Sequence, residues 1–251
     1  MDIRLDGKTA LVTGASSGLG RQFAIALARA GARVALAARR TDRLAALARE
    51  IESAGGTAYA VAMDVTDVAS VRAGVAAAEH ALGPIDILLN NSGVSVTKRI
   101  ADVEEADYDH VMDTNAKGMF FVAQAVGRSM IAGKRPGRIV NIASVAGLRA
   151  LGQLSVYGMS KSAVVHLTRS LALEWGRHGI NANALCPGYI ETEINRDYWD
   201  TEGGRKLVGM LPRRRVGKPE DLDALVLVLS SDASGFVNGA VIAADDGLAV
   251  S

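Results

Sequence analysis

Seven short apolar runs alternate with longer stretches of helical periodicity, and this alternation narrows the available folds more than any other feature of the chain. The runs are Lys8–Val12, Ala32–Ala37, Thr57–Met63, Ile85–Asn90, Gly137–Ile142, Ile180–Leu185 and Ala240–Ala244. Several are nearly continuous in Val, Ile, Leu and Ala, as expected of strands buried on both faces. Between them, Gly20–Ala30, Thr41–Ala54, Val68–Leu82 and Tyr157–Trp175 repeat apolar residues with helical spacing. Strand-then-helix repetition implies right-handed crossovers and a parallel sheet covered on both faces. The expected architecture is α/β, a doubly wound sheet of about seven strands. Ligands of such sheets bind at the carboxyl ends of the strands, near the point where strand order reverses.

Composition removes other classes. The 251 residues show no repeat, Pro-rich linker or compositional break, so one domain over 1–251 is expected. A formal net charge of +1 argues against nucleic acid or an acidic membrane surface as partner. One cysteine permits no internal disulfide and suits a reducing compartment. The opening residues Met1–Asp6 hold no apolar segment, and no run reaches the roughly 20 residues that span a bilayer. A soluble, cytoplasmic protein is expected. His80, His110, His166 and His178 have no metal-ligand spacing, so no metal site is expected.

The strand ends carry the chemistry. After the first run comes Thr13-Gly14-Ala15-Ser16-Ser17-Gly18-Leu19-Gly20. Its glycines allow positive φ and close backbone approach, and the following helix N-terminus offers N–H groups to a pyrophosphate. The second run ends Ala38-Arg39-Arg40. An NAD-selective site usually has a carboxylate there; Arg39 instead suits a 2′-phosphate, favouring NADP over NAD by about tenfold or more. The third and fourth runs end at Asp64-Val65 and Asn90-Asn91-Ser92-Gly93. Ser144 follows the fifth. Tyr157 and Lys161 stand four apart on one helix face, where a cation about 4 Å from a phenol is worth up to about three pK units. Such a tyrosine is expected to be acidified enough for acid–base work near neutral pH. Plainer readings of each feature alone remain: a tight turn, a solvated arginine pair, an Asp64 helix cap, a surface Tyr/Lys pair. Cys186 reads as a small buried hydrophobe. Residues 191–211, with Tyr198 and Trp199, are long for a connection and read as a lid or a passive insertion. The run Arg213-Arg214-Arg215 reads as a solvated loop.

Taken together, these residues resemble the short-chain dehydrogenase/reductase family. The match runs from about Leu5 to Leu248 and rests on the glycine turn, Asn90-Asn91-Ser92-Gly93, Asn115, Ser144, Tyr157-x-x-x-Lys161 and Pro187-Gly188. The resemblance implies a Rossmann-type fold and roles for single residues. Tyr157 would exchange a proton with the substrate oxygen, and Ser144 would hydrogen-bond that oxygen. Lys161 would hold the nicotinamide ribose and lower the tyrosine pKa, and Asn115 would position a relay water. Gly14, Ser16, Ser17, Gly18, Leu19 and Gly20 would cradle the diphosphate. Asp64, Val65, Asn91 and Gly93 would flank the adenine side, with Arg39 and Arg40 at the 2′-phosphate. Pro187, Gly188, Ile190 and Thr192 would border the nicotinamide. NADP(H) would be preferred, with NAD(H) accepted. A homotetramer is also implied, with Val164, Leu167 and Leu171 as an apolar docking face. Ser92 stands where alanine is commonest, and Asp246 where a second glycine is usual.

Within the family the pattern is most similar to 3-oxoacyl-(acyl-carrier-protein) reductases. Arg135 matches one carrier-docking position, while His178 occupies the other. The expected substrate walls, Ser95, Val96, Ala146, Leu148, Leu151, Leu154, Tyr189, Tyr198 and Trp199, are mainly apolar, which suits ketones and acyl chains better than sugars. The leading expectation is an NADPH-dependent carbonyl reductase with Tyr157 as general acid. The alternative is an NAD(P)-dependent secondary-alcohol or polyol dehydrogenase working oxidatively. A non-catalytic nucleotide sensor is the remote alternative.

Overall fold

The computed structural model describes residues 3–193 and 195–251. In chain order it contains β1 (Thr9–Thr13), α1 (Gly18–Arg29), β2 (Arg33–Ala38), α2 (Thr41–Ser53), β3 (Thr57–Ala62), α3 (Val68–Leu82), β4 (Ile87–Asn90), α4 (Glu105–Met112), α5 (Met119–Ala132), β5 (Gly137–Ile142), α6 (Ser155–Trp175), β6 (Ile180–Pro187), α7 (Arg196–Trp199), α8 (Glu202–Met210), α9 (Asp223–Ser230) and β7 (Val241–Ala244). The strands form one parallel sheet in the order β3-β2-β1-β4-β5-β6-β7. Every expected strand and helix is present, with ends shifted by a few residues at most.

The period-two geometry of strands explains the two cores. Val12, Leu89, Val140 and Leu185 point to one face and pack with Phe23 and Leu27 of α1 and Val226 and Leu229 of α9. Their neighbours Leu11, Leu88 and Ile139 point to the other, against Val75 of α3, Val126 and Met130 of α5 and Leu171 of α6. β6 is buried along its whole length. The edge strands β3 and β7 are only partly covered. Among the described residues no helix is long and apolar enough to cross a membrane.

Two local features position the site. Strand order reverses between β1 and β4, since β1 pairs β2 on one side and β4 on the other. Between α4 and α5 the chain widens into a π-helical turn, Asp113–Gly118, which buries Thr114 and Asn115. Gly118 closes that turn, because a Cβ there would lie 2.9 Å from the Val65 carbonyl oxygen.

Three expectations are corrected here. Asp67, not Asp64, caps α3 by accepting the Ala69 N–H. Val164 and Leu171 are buried in this chain's own core and Leu167 packs against it, so they offer no free docking face; the exposed apolar residues of α6 are Met159 and Leu173. Arg135 turns inward, donating to the Ile85 carbonyl and the Ser129 hydroxyl beside Glu79 and Asp86, which removes it as a carrier-docking cation.

Candidate active site

The crevice at the sheet's reversal point is built by Thr13. Its hydroxyl accepts the N–H groups of Asn91 and Ser92 at 2.9 and 3.1 Å, and its carbonyl accepts Asn91 Nδ2 at 3.0 Å. These bonds tie the end of β4 to the loop leaving β1. In that loop Gly14 and Gly18 take φ of +68° and +54°, which strongly favours glycine. Ser17 precedes α1 in extended conformation, yet its side chain does not cap the helix. Its hydroxyl instead accepts Arg40 Nη2 at 2.8 Å, and Ser16 Oγ accepts the same nitrogen at 2.9 Å. The first-turn N–H groups of Gly18, Leu19 and Gly20 therefore meet no side-chain cap. A bare helix N-terminus with glycine approach fits a pyrophosphate on geometric grounds. A Cβ on Gly20 would lie 2.3 Å from the Gly14 carbonyl oxygen and 2.6 Å from Asn91 Nδ2. Gly20→Ala is thus expected to cost about 1–3 kcal/mol of stability and to weaken dinucleotide binding about tenfold or more. A melt and an NADPH fluorescence titration test this, and wild-type affinity in a folded variant would count against the loop as cradle.

The two arginines after β2 divide. Arg40 braces the glycine loop. Arg39 is exposed, and its charge acts on Asp64. Burial alone would raise the Asp64 carboxyl, but the Thr66 N–H and hydroxyl bonds and the Arg39 charge outweigh it, leaving it below its ordinary value. Val65 is buried beside Asp64. Across the crevice Pro187 ends β6, and the Gly188 N–H reaches the Ala244 carbonyl. Ile190 pairs with Gly217. The Thr192 methyl comes within 3.5 Å of the position a Gly18 Cβ would take, so residue 192 overhangs the glycine loop.

Ser144, Tyr157, Lys161 and Asn115 converge at the adjoining strand ends. Ser144 leaves β5 in extended conformation and heads a short turn, its hydroxyl accepting the Ala146 N–H at 3.1 Å. Its hydroxyl also bears on the Tyr157 phenol and lowers that group's pKa. Lys161 is 3% exposed, and its Nζ donates to the Ile142 carbonyl at 2.9 Å. Asn115 is fully buried; its Oδ1 accepts the Val94 N–H at 2.8 Å, and its Nδ2 donates to the Val94 carbonyl and to Ser160 Oγ. A Cβ on Gly93 would sit 3.3 Å from Lys161 Nζ and 3.4 Å from Asn115 Oδ1, so glycine lets these groups close together.

The electrostatics differ from the expectation of an acidified phenol. Burial raises the Tyr157 pKa above its ordinary value, and the Ser144 hydroxyl offsets this only in part. Lys161 Nζ lies 5.7 Å from the ring centroid, and burial pulls the lysine itself down to about 8. Desolvation penalises both charged forms and outweighs their attraction at this distance. Cys186 is buried nearby, and burial pushes its thiol up to about 11. Among the described residues there is no cluster of His, Cys, Asp or Glu able to hold a metal ion.

Beyond β6, residues 191–211 contain α7 and α8 rather than irregular chain. Thr201 caps α8 through the Gly204 N–H. Trp199 packs edge-on against Tyr189 at 5.7 Å and Tyr198 at 5.2 Å. Of the expected walls, Ala146 is buried, Leu151, Leu154 and Tyr189 are half-buried, and Ser95, Leu148 and Tyr198 are exposed. Asp246 takes φ of +55°, a conformation natural to the glycine usual there, and its carboxylate bridges Arg213 at 3.0 Å and Arg215 at 2.7 Å. Two of the three arginines taken for a solvated run are therefore paired.

Sequence reasoning missed Ser160 and Arg149. Ser160 links Asn115 to the Tyr157 carbonyl, and its position three residues after Tyr157 was the available signal. Arg149 binds the carbonyls of Leu248 and Ser251 to the loop after Ser144, a contact of high sequence separation that no local pattern announces.

A sequence model of the short chain dehydrogenase family matches residues 8–203. The chain is 44% identical to gluconate 5-dehydrogenase of Gluconobacter oxydans (strain 621H), covering 98% of this chain and 96% of that protein. It is 40% identical to sorbitol dehydrogenase of Cereibacter sphaeroides, covering 94% of each. The crystal structure of a gluconate 5-dehydrogenase from Burkholderia cenocepacia J2315 in complex with NADP and tartrate superposes with a TM-score of 0.95 at 39% identity, covering 100% of this chain and 98% of that one. This chain belongs to the short-chain dehydrogenase/reductase family, nucleotide-dependent oxidoreductases that interconvert alcohol and carbonyl groups.

Proposed function

We propose that this chain oxidises a secondary hydroxyl of a polyol or sugar acid, and reduces the matching ketone in reverse, preferring NADP(H) over NAD(H). The carrying observation is the convergence of Ser144, Tyr157, Lys161 and Asn115 beside a bare helix N-terminus. Ser144 holds the reacting oxygen. Tyr157 takes its proton during oxidation and returns it during reduction. Lys161, fixed on the Ile142 carbonyl, faces the phenolate as it forms, and Asn115 holds the loop bearing Gly93 and Val94 against it. The nicotinamide, when bound, supplies the hydride acceptor or donor. Gly14, Ser16, Ser17, Gly18, Leu19 and Gly20 would hold the diphosphate and Arg39 the 2′-phosphate, with Arg40 bracing the glycine loop beside it. Asp64, Val65, Asn91 and Gly93 flank the adenosine half, and Pro187, Gly188, Ile190 and Thr192 the other. Because burial raises Tyr157, its neutral form prevails near pH 7 and oxidation gains as pH rises.

The polyol or sugar-acid substrate replaces the 3-oxoacyl expectation for two reasons. The relatives above carry those activities in their names, and Arg135 is not free to dock an acidic carrier. The loop after β4, which carries exposed Ser95, is joined to the one before α6 by the Lys98 N–H and the Gln153 carbonyl. On this reading residues 1–251 form one domain, with 191–211 as a lid over the substrate, in a cytoplasmic homotetramer built without nucleic acid or membrane.

The test is a panel of sugar acids, polyols and 3-oxoacyl thioesters assayed with each cofactor by nicotinamide absorbance. Sugar acids or polyols should be turned over best, and a preference for oxoacyl thioesters would restore the carbonyl-reductase reading. Arg39→Ala should lower the NADP-to-NAD ratio of kcat/KM by about tenfold. An unmoved ratio would remove Arg39 from phosphate recognition.

A further inference from the structure

Arg43 lies one helical turn beyond Arg40, so Arg39, Arg40 and Arg43 form a cationic patch at the end of β2 and the start of α2. Arg43 Nη1 meets Glu193 Oε2 at 3.2 Å, in a pair that is 46% and 54% exposed. Glu193 comes from the opposite wall of the crevice, one residue after Thr192, which overhangs Gly18. The pair therefore bridges the crevice. We propose that Glu193 is a specificity-determining residue for the cofactor: its carboxylate occupies Arg43 and competes there with the 2′-phosphate of NADP.

The argument is one of charge and reach. Arg40 is already committed to Ser16 and Ser17. Asp64 bears on Arg39, with its carboxylate occupied by Thr66. Arg43 is the member of the patch held by a carboxylate from across the crevice. A phosphate dianion arriving there brings more charge than Glu193 and can displace it. NAD carries only an uncharged hydroxyl at that position and leaves the pair intact. Because an exposed ion pair is weak, the displacement is affordable, and the effect on discrimination is modest in size.

This inference rests on the reading that the patch receives the 2′-phosphate, and the test separates the two. Adenosine 2′,5′-bisphosphate and adenosine 5′-monophosphate are titrated by calorimetry into the wild type, Glu193→Gln, Arg43→Gln, the double variant and Arg39→Ala. Glu193→Gln should tighten the bisphosphate about threefold to fivefold, up to about 1 kcal/mol, and leave the monophosphate unchanged. Arg43→Gln should weaken the bisphosphate and abolish the gain from Glu193→Gln in the double variant. Unchanged or weaker bisphosphate binding in Glu193→Gln, or an equal change for both nucleotides, overturns the competition. If Arg39→Ala nonetheless weakens the bisphosphate selectively, the phosphate site itself stands and only the role of Glu193 falls. If neither substitution alters the discrimination between the two nucleotides, both fall.

Discussion

Tyr157→Phe should lower kcat by about 10²–10⁴-fold while leaving dinucleotide affinity close to that of the wild type. The change deletes one oxygen and keeps the ring, so α6 and its packing should persist. What disappears is the proton carrier at the point where Ser144 meets the phenol. Water cannot readily replace it in a site this desolvated. The measurement is steady-state turnover beside NADPH fluorescence titration and a thermal melt. A folded variant with near-normal kcat would show that the proton travels by another route, and the mechanism above would fail.

Lys161→Met should separate activity from stability. Turnover should fall by about 10²-fold or more, because a charge aimed at the developing phenolate is lost. Stability at pH 7 should rise. Burial holds Lys161 at about 8 against 10.5 in the unfolded chain, a difference of ~3 kcal/mol when both states are protonated. The lost bond to the Ile142 carbonyl returns about 1 kcal/mol of that. A net gain of about 2 kcal/mol corresponds to about 4–8 °C in Tm for a chain of this size. The pH dependence follows from linkage. Below pH 8 both folded and unfolded wild type carry the proton, so the full penalty stands. Between 8 and 10.5 the unfolded chain holds a proton that the folded chain has released, and wild-type stability rises with pH. The advantage of methionine should therefore be largest below pH 8 and fade by 10.5. A variant less stable than the wild type at pH 7 would show that the lysine is not penalised by burial. The expected gain would mark a site in which function is kept at the expense of stability.

Much of this was legible because it is written locally. The runs around Leu11, Leu88 and Ile139 are apolar on both faces, so they announce buried parallel strands whatever surrounds them. The glycines at 14, 18 and 20 announce a close backbone approach, and the four-residue spacing of Tyr157 and Lys161 announces a shared helix face. The helical periodicity of Val68–Leu82 coincides with the bounds of α3, where Asp67 caps the start and Gly83 ends it. Less legible was anything depending on which surfaces meet. Val164 and Leu171 have the pattern of a docking stripe, but the sheet uses that stripe itself. Arg135 has the sequence position of a docking cation, but Glu79, Asp86 and Ser129 turn it inward. The apolar walls suggested acyl chains, and the contact that joins the loop after β4 to the one before α6, Lys98 N–H to the Gln153 carbonyl, has no local signature.

By itself, the sequence determined the doubly wound sheet, the glycine-rich turn after β1 and the shared helix face of Tyr157 and Lys161. Each of these follows from periodicity, backbone freedom or functional groups within a few residues of one another. Tertiary structure alone decided the sign of the Tyr157 shift, the division of labour between Arg39 and Arg40, and the pairing of Arg43 with Glu193. The physical reason is that desolvation and Coulomb terms depend on distances in space. Residues 43 and 193 become neighbours only after a sheet has folded between them.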